Sequence, residues 1–158
     1  MGAIRISGTW RTTAPPADVY AVVADLTTWP QWWPAIRSVE PLAGDVGAPD
    51  AARFTFDTPS PLRPLVVGIA VTDRVAGTRL DVAATDGPVD GEGRLTISAA
   101  DGATGTSFAL RLRFRSLLLK PVEAVLASAT RSSGKQRLAR AGDDLAALAG
   151  GEPLPHDL

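Results

Sequence analysis

Cysteine is absent from the chain, which removes a disulfide framework, a thiolate nucleophile and a thiolate metal site together. The fold has to hold by packing alone. Histidine and tyrosine occur once each, as His156 and Tyr20. No group of His, Asp and Glu has metal-ligand spacing and no helical face carries paired carboxylates. Neither a glycine-rich phosphate loop after a strand nor a Gly-x-Ser-x-Gly elbow occurs. No metal and no cofactor is expected, and no catalytic residue can be named.

A charge excess is also missing. The chain has 16 Lys and Arg against 17 Asp and Glu, a formal net charge of -1, so no global field draws it to nucleic acid or to an anionic membrane. Its longest apolar run, Leu65 to Val71, is far shorter than the roughly 20 residues of a bilayer-spanning helix. The first ten residues alternate polar with apolar and lack the continuous apolar stretch of a signal peptide. A cytoplasmic protein with no stable membrane insertion is the expectation. Abundant Ala, Gly, Pro, Arg and Asp with little Lys is the composition of a high-GC bacterial genome.

What is present is apolar mass: 45% of the 158 residues are hydrophobic, enough for one core and one domain. Ile4, Ile6, Gly8 and Trp10 alternate with Arg5, Ser7, Thr9 and Arg11, the period of a strand with one wet face. Ala14-Pro15-Pro16 stops it, and Val19, Val22, Val23 and Leu26 follow at helical spacing. Thr27-Thr28-Trp29-Pro30 ends that helix, and Gln31-Trp32-Trp33-Pro34 makes one further turn. Six more segments of period two are expected, at about Ile36–Leu42, Ala52–Asp57, Leu65–Val75, Thr78–Ala84, Glu92–Ala99 and Thr106–Arg115. Their short links, such as Ala76-Gly77 and Asp101 to Gly105, predict an antiparallel meander. After Ser116 the spacing turns helical through Leu118, Val122, Val125, Ala129, Leu138, Ala141, Leu145 and Leu148, with Ser132-Ser133-Gly134 as an interruption. Gly150-Gly151-Glu152-Pro153 closes the helix. The expectation is a domain over residues 1–150 and a frayed tail over 151–158.

The order of elements, together with one local stretch, resembles a known group. Ala14-Pro15-Pro16-Ala17-Asp18-Val19 opens a helix, and Asp25 followed by Trp29-Pro30-Gln31-Trp32-Trp33-Pro34 closes it. This is similar to the signature of the bacterial polyketide cyclase/dehydrase branch of the START-like (SRPBCC) superfamily. That resemblance implies an α+β fold: a seven-stranded curved antiparallel sheet gripping a long C-terminal helix of about Leu117 to Leu148. Two short helices lie between the first and second strands. It also implies an apolar cavity between sheet and helix, in proteins that range from enzymes to pure binders.

With the sheet's apolar face inward, Trp29, Trp33, Phe54, Phe56, Ile69, Leu95, Phe108 and Leu112, with Val122 and Val125 opposite, are the candidate ligand-binding residues. The partner they imply is a small hydrophobic molecule such as a lipid or polyketide. Alternate turns of a meander share one end, so Asp57 to Pro64 and Asp86 to Gly91, the longer links, mark the expected mouth. Each tryptophan has a second reading, as a lock holding the short helices to the sheet. Arg53, Asp57, Arg63, Asp90 and Glu92 are the charged residues near strand ends, where solvated charges are the ordinary case. His156 falls in the expected tail. Arg111, Arg113 and Arg115 alternate and form an outward stripe that can dock an acidic partner, or is simply a solvated face. Two functions compete with binding: a polyketide aromatase/cyclase-like activity, and a co-chaperone-like interaction module.

Overall fold

A computed structural model describes residues 3–45, 48–57, 63–115 and 132–158 of the chain. The first strand, β1 (Ile4–Thr12), is followed by α1 (Pro16–Ala24), a 3₁₀ turn at Leu26–Thr28 and α2 (Trp29–Trp32). Six strands come next: β2 (Ile36–Asp45), β3 (Ala48–Phe56), β4 (Leu65–Val75), β5 (Arg79–Asp86), β6 (Val89–Ala100) and β7 (Ala103–Phe114). Then come α3 (Ser132–Leu148) and β8 (Pro153–Asp157). All strands join one antiparallel sheet in the order β2-β3-β4-β5-β6-β7-β1-β8.

The meander follows from tight turns. At Asp101-Gly102 both residues have positive φ, 53° and 75°, which an Asp-Gly pair supplies at little cost and which matches the twist of β6 and β7. Gly87, with φ 105°, turns β5 into β6. A β-carbon there would sit 2.8 Å from the carbonyl oxygen of Val66, so only glycine fits. The expected loop from Asp86 to Gly91 is therefore a two-residue turn. Its last residues are strand, because Val89, Gly91 and Gly93 continue the inward parity of Leu95 and Ile97. Glycine concealed that period from the sequence.

The expected seven-stranded sheet has eight strands. Residues 153–157, expected to fray, pair with β1 as β8. The segment carries two prolines, which a sheet edge tolerates because the outer N–H groups have no ladder to join. His156 secures this strand. Its Nδ1 accepts the backbone N–H of Arg11 at 2.9 Å, so the neutral ring carries its proton on Nε2, 2.8 Å from Asp143 Oδ1. The expected helix from Leu117 to Leu148 is observed over Ser132–Leu148; its stretch from Leu117 to Arg131, with Val122 and Val125, lies outside the described residues. The Ser132-Ser133-Gly134 interruption forms the first residues of α3 as described.

The main core brings α1, α2 and α3 onto the concave face of the sheet. Val19, Val23, Leu26, Trp29 and Trp32 pack with Ile6, Trp10, Phe54, Leu80, Leu95 and Phe108, and with Leu138, Ala141 and Leu145 of α3. Trp10 is the junction. Its ring stacks on Phe108 at 4.1 Å, meets Trp32 edge-on at 5.7 Å, and its Nε1 donates to the Leu138 carbonyl at 2.8 Å. A smaller cluster of Leu65, Val67, Val89 and Phe114 forms at the other end of the sheet.

Candidate functional site

Between that smaller cluster and the tryptophans lies an unfilled space of about 170 Å³. Three groups of residues border it. Trp29, Trp33, Ala35 and Ile36 come from α2 and the start of β2; Phe56, Leu65, Val67 and Ile69 come from β3 and β4; Val82, Ala84, Val89, Leu110, Leu112 and Phe114 come from β5, β6 and β7. The space is at the end of the sheet where β3 leaves for β4 and where β5 turns into β6, the end singled out by the loop argument.

Alternation explains the lining. Phe54 and Phe56 share the inward face of β3, and Phe108, Leu110, Leu112 and Phe114 that of β7. Arg111, Arg113 and Arg115 have the opposite parity and are exposed, as a period of two requires. Among the described residues, the packing of α1, α2 and α3 ends before the inward face does. The β5–β6 ladder runs from Arg79↔Thr96 to Ala83↔Glu92. Past it, Ala84, Val89 and Gly91 border the space.

The candidate residues divide accordingly. Trp29, Trp33, Phe56, Ile69 and Leu112 border the cavity. Phe54, Leu95 and Phe108 do not: they are 0%, 1% and 2% exposed and lie in the packed core. Parity placed all of these inward correctly, but parity says nothing of which end of the face is covered by a helix. Ile6, Ala35, Leu65, Val67, Val82 and Phe114 also border the cavity. The sequence did not single these out as site residues.

The tryptophans have both of the roles considered. Trp29 donates its Nε1 to the Val23 carbonyl at 2.9 Å and thereby ties α2 to α1. Its ring also borders the cavity, parallel to that of Trp33 with 6.2 Å between centroids. Trp32 is fully buried and holds the helices to the sheet.

Polar groups are few at this site. Among the described residues only Asp57 and Glu92 of the cavity's border are titratable, and both are exposed. Asp57 accepts a hydrogen bond from Arg37 Nε at 2.7 Å. Glu92 lies on the outer parity of β6, and its flanking glycines bring its backbone to the cavity wall. The cavity as described offers apolar contact rather than a positioned acid and base. No group of His, Cys, Asp and Glu that could hold a metal is found among the described residues.

The outward arginines stand beside acidic residues of β6. Arg111 stands opposite Glu92 and Arg113 opposite Asp90 in the β6–β7 register, and Arg115 pairs with Asp90. The hydrogen bond from Arg115 holds the Asp90 carboxyl below the usual carboxylate range. On β5, Asp81 accepts two hydrogen bonds from Arg94, at 2.8 and 3.0 Å. That interaction lowers its pKa, with help from the charges of Arg94 and Arg79 and against the opposing effect of burial. The structure gives no support to an acidic partner at the stripe.

An antiparallel sheet with helices on its concave face and an apolar space between them defines the START-like (SRPBCC) class of fold. The family described as polyketide cyclase/dehydrase and lipid transport matches residues 3–148, and the chain belongs to it. Solved structures share the fold. A START superfamily protein from Mycobacterium smegmatis is 20% identical with a TM-score of 0.65, covering 85% of this chain and 94% of that one. The ZhuI aromatase/cyclase from Streptomyces is 16% identical with a TM-score of 0.65, covering 90% and 93%. A protein from Deinococcus radiodurans is 25% identical with a TM-score of 0.55, covering 87% and 98%. No curated protein matches the chain by sequence. No helix among the described residues is long and apolar enough to cross a membrane.

Proposed function

We propose that the protein binds a small hydrophobic molecule, of lipid or polyketide type, in the cavity beside Trp29 and Trp33, and thereby carries or sequesters it. The observation that supports this most is the cavity itself: about 170 Å³ whose described border, apart from Asp57 and Glu92, is made of apolar residues and glycine. A void of this kind costs stability, and an apolar lining offers water no hydrogen-bond partners. The family's description includes lipid transport, which favours the same reading. The binder acts in the cytoplasm and uses neither metal nor nucleotide.

Affinity follows from area. A ligand that loses roughly 200 to 300 Å² of apolar surface gains about 5 to 7 kcal/mol before the cost of association, which gives micromolar or weaker binding. Ile69 borders the cavity and is partly exposed to it, so Ile69→Trp fills the space that the ligand needs. The variant should keep the far-UV circular dichroism of the wild type and lose saturable uptake of anilinonaphthalene sulfonate. Equal uptake by folded wild type and variant would move the binding site elsewhere. The companion substitution Val122→Trp tests a candidate residue that lies outside the described residues.

A further inference from the structure

We infer that Gly93, with Gly91 beside it, sets the size of ligand the cavity accepts, by leaving Leu110 and Leu112 a place to lie against β6. This rests on the binding reading above and deepens it.

The inward face of β6 reads Val89, Gly91, Gly93, Leu95, Ile97. The valine, leucine and isoleucine are buried; the two glycines fall where the cavity is and border it. Glycine inside a strand weakens it, and usually marks a bulge, a bend or a close approach. A bulge is ruled out, since the β6–β7 register runs unbroken from Val89↔Phe114 to Ala100↔Ala103. Backbone conformation does not require them either, since neither glycine is among the residues with positive φ. What these positions provide is space.

Leucine methyls use that space. Gly93 stands opposite Leu110 and Gly91 opposite Leu112. A β-carbon on Gly93 would lie 2.7 Å from Leu110 Cδ2 and 3.3 Å from Val82 Cγ2. One on Gly91 would lie 2.8 Å from Leu112 Cδ2. Each leucine therefore lies over its glycine, in volume that a side chain on β6 would occupy. Both leucines border the cavity, so whatever pushes them off β6 pushes them into ligand space.

The two glycines differ in how a methyl group can be accommodated. On Gly91 it also meets the Arg111 carbonyl oxygen at 2.9 Å, which is backbone and cannot rotate away. On Gly93 the closest atom is the far end of a flexible side chain, and the nearest backbone atom among its contacts, the Ala109 oxygen, is 3.8 Å away. Gly93→Ala is thus relieved by turning Leu110 into the cavity, with the sheet left in register. It acts as a size filter and not as a fold mutation.

The test is a series of hexanoate, octanoate, decanoate and dodecanoate displacing anilinonaphthalene sulfonate from wild type, Gly93→Ala, Leu110→Ala and the double variant. Gly93→Ala should weaken the longest chain that wild type binds by roughly tenfold or more, the effect of one methylene in a hydrophobic pocket, and leave the shortest unchanged. Leu110→Ala should favour longer chains, and the double variant should return toward wild type. The inference is overturned by a Gly93→Ala size profile equal to that of wild type, or by a uniform loss that Leu110→Ala does not restore. If Gly93→Ala fails to fold by circular dichroism, Leu110→Ala alone decides, and an unshifted profile refutes the idea. A wild type that takes up neither the fluorophore nor any acid of the series overturns the binding reading and this inference with it; a wild type that binds while the variants match it overturns only the inference.

Discussion

Trp10 shows how much of this molecule turns on single side chains. One indole joins β1 to α3 through its Nε1, stacks on Phe108 and meets Trp32 and Trp33 edge-on. The close approach is permitted by Gly142, where a β-carbon would lie 2.4 Å from Trp10 Cδ1 and 2.9 Å from His156 Nε2. Alanine is the better helix former by about 1 kcal/mol, yet the ring has nowhere to move. Gly142→Ala should therefore destabilise by about 1 to 3 kcal/mol, as overpacking does; a rise in the urea midpoint would show that the helix, and not the indole, has slack. On the outer face, Asp81 is, with Asp90, a carboxylate whose protonation the fold feels. Its folded pKa is lowered, first by the hydrogen bond from Arg94. The stability it contributes is therefore present above the ordinary carboxylate pKa and is lost as pH falls through the lowered value. Asp81→Asn should flatten the acid limb of urea midpoint against pH, and the effect should shrink with salt. An acid limb identical to that of wild type would assign it to other carboxylates.

Among the elements, β8 is the one whose removal tells most. It covers the edge of β1, receives the Arg11 N–H on His156 and brings Leu158 against Gly8, where a β-carbon would be 2.7 Å from Leu158 Cδ2. Deleting residues 153–158 should cost more than about 1 kcal/mol, the scale of one net hydrogen bond, and expose an unprotected strand edge to self-association. Unchanged urea midpoint and oligomeric state would reduce β8 to an ornament of the edge. This strand also marks where the sequence stops being legible. The antiparallel meander could be read from alternation, as could α1 with its Pro16 start and the stop of α3 at Gly150, whose φ is 82°. Pro-Leu-Pro-His-Asp has no apolar period, and what makes it a strand is the free edge of β1, a fact of tertiary structure. The start of β6 was hidden for a related reason: Gly91 and Gly93 carry no hydrophobic signal, although they stand on the inward face. The candidate site was legible to the same depth. Parity gave Phe56, Ile69 and Leu112 as inward, and equally Phe54, Leu95 and Phe108. Among the described residues, the placement of α1, α2 and α3 packs over the second three, while the first three border the cavity.

For the whole molecule, a near-neutral net charge and an apolar hollow are what the proposed inward recognition rests on. The family is described as polyketide cyclase/dehydrase and lipid transport, and nothing in the cavity's border beyond Asp57 and Glu92 is titratable among the described residues. Burial of apolar surface on binding has one robust thermodynamic sign, a negative heat-capacity change. The most direct measurement is isothermal titration calorimetry of wild-type protein with anilinonaphthalene sulfonate at several temperatures. The account predicts a saturable one-to-one isotherm with an enthalpy that becomes more negative as temperature rises, and loss of that isotherm in Ile69→Trp. Heat that scales linearly with ligand and never saturates, or a saturable isotherm that Ile69→Trp leaves intact, would contradict it.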